Sequence, residues 1–186
     1  MFDLDRSFEP DWPQTLRPIG EGSFEKESFA AWWARNRERL SHLPNDLCEQ
    51  WIYRHWFNSP FSFLPLSDLR WERRRWSGEE LLDSIFRAWG GELHPQFDYD
   101  AFQGNGGSDR TATAVALDSG TWDFPMVLLS TPSGVVNEGV ERPEVRLVVV
   151  EGHQRHRYLN ALHARGKAPA GPHDTIILHS PLVEGR

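Results

Sequence analysis

Val148-Val149-Val150-Glu151-Gly152-His153-Gln154-Arg155-His156-Arg157 joins an apolar run to a cluster of polar, mostly cationic side chains. A helical pattern, Tyr158-Leu159-Asn160-Ala161-Leu162, follows directly. A buried strand that turns through glycine into a helix leaves free N–H groups at the helix start, and arginines beside them complete an anion site. Gly152 permits close backbone approach to a phosphate, or serves only as the turn between strand and helix. Arg155, in the first helical turn, has the fork geometry that grips phosphate, or makes a surface ion pair. Arg157 points about 200° away from it around a helix. His153 and Gln154 can donate to phosphate oxygens or move a proton, or simply cap the helix. His156 reads as a packing or solvent histidine. Glu151 ends the strand, where an acid can hold Mg²⁺, act as a base or pair with a nearby arginine. His153 and Glu151 are thus the catalytic candidates.

Other motifs are weaker. His153, His156 and His163 lack the spacing of a closed zinc site, and no cysteine is near. Gly104-Asn105-Gly106-Gly107 lacks the Gly-Lys-Ser/Thr ending of a P-loop. No serine-hydrolase elbow is present.

The elements that must position this turn are read from pattern. The 186 residues suit one domain with an extension or an insertion. The formal net charge of -7 argues against direct nucleic-acid binding by this chain alone. The single cysteine, Cys48, precludes an internal disulfide and suits a reducing cytoplasm. The acidic start, Met1-Phe2-Asp3-Leu4-Asp5, is no signal peptide, and no run reaches the roughly 18 apolar residues of a membrane span. Eight of nine tryptophans lie in the first 89 residues. They suggest an aromatic core joining an N-terminal extension (1–60) to the rest, or alternatively a surface for a protein partner.

Residues 1–24 read as an extended arm. Ser28 caps a helix from Phe29 to about Leu40, and a second helix runs from Asp46 to Phe57. Phe61 to Leu69 reads as an edge strand, followed by the basic cluster Arg70, Arg73, Arg74 and Arg75. Ser77 and Glu80 form a capping box for a helix over Gly78–Trp89 that Gly90-Gly91 stops. Residues 92 to about 123 lack a period and read as an inserted loop. Strands are expected at Pro125–Thr131, Val145–Val150 and Thr175–His179, with a turn region at Pro132–Pro143 and a helix at Gln154–Ala164. The order from Phe61 onward is a small mixed α/β (α+β) arrangement with helices on one sheet.

Two segments, in this order, give the chain a family resemblance. The first is Leu64-Pro65-Leu66-Ser67-Asp68-Leu69 through Arg75-Trp76-Ser77-Gly78-Glu79-Glu80-Leu81-Leu82-Asp83-Ser84-Ile85. The second is Glu151-Gly152-His153-Gln154-Arg155-His156-Arg157. Together they resemble the opening strand and helix and the phosphate-binding box of the ParB/sulfiredoxin superfamily, over about Phe63 to Ser180. The resemblance implies a small ParB/sulfiredoxin-like sheet over 61–186 and nucleotide handling, with ATP or CTP and Mg²⁺. It also implies Arg75 as a second phosphate contact beside Gly152, Gln154, Arg155 and Arg157. Sulfiredoxin's cysteine would fall at His153, so that chemistry is not expected. The helix-turn-helix domain of partition proteins is not seen either. The expected function is nucleotide or phosphate binding, as an NTPase or small phosphotransferase. The alternative is a non-catalytic nucleotide sensor or protein-interaction module. A nuclease would need a metal–carboxylate cluster, for which only Glu151 is well placed.

Overall fold

The structure is a computed structural model and describes residues 1–20, 25–89, 91–105 and 109–184. Parts of the expected features at Gly90 and at 106–108 lie outside those residues. The fold is α+β. Its centre is a five-stranded mixed sheet in the order β2-β8-β4-β7-β3. The strands are β2 (Arg70–Trp76), β3 (Ile85–Phe86), β4 (Met126–Ser130), β7 (Leu147–Glu151) and β8 (His173–His179). β4 lies parallel to β8 and antiparallel to β7, while β3 lies parallel to β7.

The central strands read as unbroken apolar runs because both their faces are covered. Val127, Leu129, Val148, Val150, Ile176 and Leu178 face one cluster, which includes Trp12, Trp32, Trp51 and Trp56 of the N-terminal extension. Met126, Leu128, Leu147, Val149 and Ile177 face the other, under the helices that follow β2. The tryptophans therefore work mainly as core. Trp32 and Trp51 are fully buried, and their indole N–H groups donate to the Leu16 carbonyl at 2.6 Å and the Ser59 hydroxyl at 2.9 Å. A small second sheet, β1-β5-β6, ties the N-terminus down: β1 (Phe2–Asp3) pairs parallel with β5 (Val135–Asn137), which pairs with β6 (Val140–Arg142). The Asp5 carboxylate accepts from the Glu138 and Gly139 N–H groups of the β5–β6 turn.

Several expectations are corrected. The first helix, α1 (Phe29–Asn36), is capped by Ser28 as expected but is shorter. The second begins as α2 (Asn45–Leu47) and continues as a π-helical stretch, Cys48–Tyr53. Phe61 to Leu69 is not a strand. The basic cluster is, since an edge strand with one neighbour tolerates polar side chains on both faces. The Ser77–Glu80 capping box is present, but α3 (Gly78–Ser84) stops before Ile85, which enters β3. The described residues of the segment 92–123 include two helices, α4 (Pro95–Gln103) and α5 (Ala112–Asp118). Each is short and buries few apolar side chains, so neither shows a clear period. The turn region Pro132–Pro143 is the β5–β6 hairpin. The chain then runs through β7 into α6 (His153–His163), and after β8 ends in α7 (Pro181–Glu184). Among the described residues, no helix is long and apolar enough to cross a membrane.

Candidate functional site

β7 delivers Glu151 to the sheet's upper end, Gly152 turns the chain, and α6 begins at His153. Gly152 has φ +105°, which disfavours any L side chain. A Cβ there would also lie 2.9 Å from Met126 Cγ. Glycine is thus required by the turn and its packing on β4. The His156 N–H closes the first helical turn onto the Gly152 carbonyl at 3.0 Å, and no side chain caps α6. The N–H groups of His153, Gln154 and Arg155 therefore have no partner within the helix.

The Arg155 side chain is turned inward. It is 3% exposed, with Nε 3.1 Å from Asp123 Oδ1 and Nη1 3.6 Å from Glu151 Oε1. The Thr113 hydroxyl also meets Asp123, at 3.1 Å. A buried guanidinium held by two carboxylates is a structural joint between α6, β7 and the segment before β4. Glu151 is engaged again on its other side, where His55 Nε2 from the N-terminal extension sits 3.3 Å from Oε2. Arg157 leaves on another side of the helix, with Nε 2.7 Å from Oδ1 of the buried Asp98 of α4. Gln154 donates to the Tyr158 hydroxyl at 2.8 Å, one turn along. Arg75 is not brought here. It lies on β2, separated from β7 by β8 and β4, 73% exposed, and pairs with Asp174 at 2.9 Å.

The two histidines are unusual. His153 is pushed down to about 4, first by burial, then by the charges of Arg87 and His55. His156 is also pushed down to about 4, by burial, then by Arg87 and His153, against an opposing pull from Asp98. Both are neutral at pH 7. His153 Nε2, His156 Nδ1 and Arg87 Nη1 are buried and have no hydrogen-bond partner among the described residues. Unpaired buried polar atoms cost on the order of 1–3 kcal/mol each, so three that act on one another need a reason. Arg87's own pKa is lowered, by burial and then by the charge of Arg157.

Sequence reasoning missed Arg87 because it extended α3 to Trp89. The residues before it form β3, paired in parallel with Leu147 and Val148, and this carries Arg87 towards the end of the sheet where Glu151 and Gly152 lie. Asp123 and Asp98 were missed because they fall in the segment read as a loop. No group of three or more His, Cys, Asp or Glu that could hold a metal ion occurs among the described residues. Glu151 and Asp123 both face Arg155, so this donor set does not fit a Mg²⁺ site. Cys48, its thiol pushed up to about 12 by burial, is not a nucleophile.

Comparison with family models, characterised proteins and solved structures finds no match to this chain.

Proposed function

We propose that the protein binds a phosphate-bearing ligand, a nucleotide by preference, at the start of α6. The observation that carries this reading is that, among the described residues, buried atoms on Arg87, His153 and His156 and the first N–H groups of α6 have no hydrogen-bond partner. A helix N-terminus and a desolvated guanidinium both favour an oxyanion. Two neutral imidazoles add donors without adding charge. In this reading Arg87 takes the role that the ParB/sulfiredoxin resemblance implies for Arg75, and Arg155 holds the turn instead of touching ligand.

The geometry favours binding over turnover. Glu151 is occupied by Arg155 and His55, which leaves its carboxylate poorly placed to act as a base. A non-catalytic nucleotide-sensing module is therefore preferred to an NTPase or phosphotransferase. Any Mg²⁺ would come with the ligand's phosphate oxygens. Calorimetry with pyrophosphate, ATP and CTP at pH 6 tests the reading. Binding in the micromolar range that Arg87→Ala weakens by about tenfold or more supports it, since a charge-assisted hydrogen bond contributes on the order of 1.5–3 kcal/mol. No binding of any of the three at millimolar concentration, with the chain folded, rejects it.

A further inference from the structure

The fixed charges around the start of α6 cancel. Two guanidiniums, Arg87 and Arg155, share it with two carboxylates, Glu151 and Asp123, while Arg157 pairs with Asp98. His153 and His156, held down to about 4, add no charge near neutral pH. An oxyanion entering these partly desolvated surroundings gains the partial charge of the helix start but no net counter-charge.

His55 can supply that charge. It lies in the turn after the π-helical stretch Cys48–Tyr53, between the buried Trp51 and Trp56. Its N–H donates to the Trp51 carbonyl at 2.9 Å. Two core tryptophans thus anchor the turn and set His55 Nε2 3.3 Å from Glu151 Oε2, the oxygen opposite the one that Arg155 meets. The His55 side chain is 31% exposed, against 17% for Glu151, 20% for Asp123 and 3% for Arg155, so it is the more open to solutes. Its charge also acts on His153, the first residue of α6. Facing His55 are therefore Glu151 of β7 and His153 of α6, with Arg155 and Asp123 behind Glu151. Arg54, beside it in the turn, is exposed and lies over the Phe124 ring at 5.7 Å, where salt screens its charge. Protonated, His55 makes the surroundings of the α6 start net cationic; neutral, it leaves them balanced. Histidine is the side chain whose charge changes near neutral pH.

We propose, on the premise that the start of α6 binds phosphate, that His55 of the N-terminal extension is a further binding residue of that site, and that its proton supplies the counter-charge on which oxyanion affinity depends. Ligand binding and proton uptake at His55 are then linked, each favouring the other.

The probe is sulfate, a phosphate-like dianion whose own charge is constant over the range. Amide spectra of the ¹⁵N-labelled protein follow its binding at His153, Gln154 and Arg155. Parent affinity should fall about tenfold between about pH 5.5 and about pH 7.5. His55→Gln should bind at the weaker level at both pH values. His55→Lys, which keeps a cation in place, should bind at the stronger level at both. Urea unfolding checks that each variant is folded. A parent affinity that does not change with pH, or a change that survives in His55→Gln, overturns the role of His55 and leaves the phosphate reading standing. So does a folded His55→Lys that binds no better than His55→Gln. No shift in the parent at either pH with millimolar sulfate overturns the phosphate reading and the role of His55 with it.

Discussion

The arginines of β2 and those of α6 look alike in the sequence and behave oppositely in the fold. Arg70, Arg73 and Arg75 are exposed and make surface pairs, whereas Arg155 is 3% exposed between two carboxylates and Arg157 holds a buried aspartate. A dense run of cations marks an edge strand. Two cations after a glycine mark a structural joint. The cation at the candidate site, Arg87, stands alone in the sequence; its Nη2 donates to the Gly91 carbonyl, while its buried Nη1 has no partner among the described residues.

The contrast is most directly challenged by removing one arginine from each set. Arg155→Ala leaves Asp123 and Glu151 half-buried without their common counterion, and should cost about 3–5 kcal/mol, or roughly 10 °C in Tm, in urea and thermal unfolding. A loss below about 1 kcal/mol would return Arg155 to the pool of ligand contacts. Next in size is Gly152→Ala. Its positive φ and the contact with Met126 predict about 2–3 kcal/mol of destabilisation, read from the urea midpoint at constant slope.

The buried histidines come third. Their folded pKa values, both about 4, lie below the ordinary value of 6.5. The unfolded chain thus binds more protons between those limits, and the stability they contribute is present above pH 6.5 and declines as pH falls towards 4. The expected loss is a few kcal/mol, and His153→Gln/His156→Gln should flatten the profile in that window. Smallest is Arg75→Ala, expected within about 0.5 kcal/mol of the parent and without effect on pyrophosphate binding. A clear loss of binding there would restore Arg75 to the phosphate site.

Which parts were legible follows from the physics of each segment. Val148–Val150 followed by Gly152 announced a central strand and a turn, because both faces of β7 are buried and only glycine suits φ +105°. Ser77 and Glu80 announced a helix start through their reciprocal cap. The helix end did not show, because Leu81, Leu82, Ile85 and Phe86 fit a helical period while the last two belong to a strand. That two-residue strand moves Arg87 to the site. α4 was hidden because its inward residues are Asp98 and Phe102, one of them charged, and the charge of the buried aspartate is met by Arg157 from another helix. Long-range pairing of this kind leaves no local pattern.

If a phosphate-bearing ligand sits at the start of α6, it lies beside Arg87, His153 and His156. A ¹H–¹⁵N titration of the imidazoles, with and without saturating pyrophosphate, tests it most directly. An oxyanion beside the rings favours their protonated form. Pyrophosphate should raise both midpoints from about 4, and Arg87→Ala should abolish the change. Midpoints that do not move in the parent protein would contradict it.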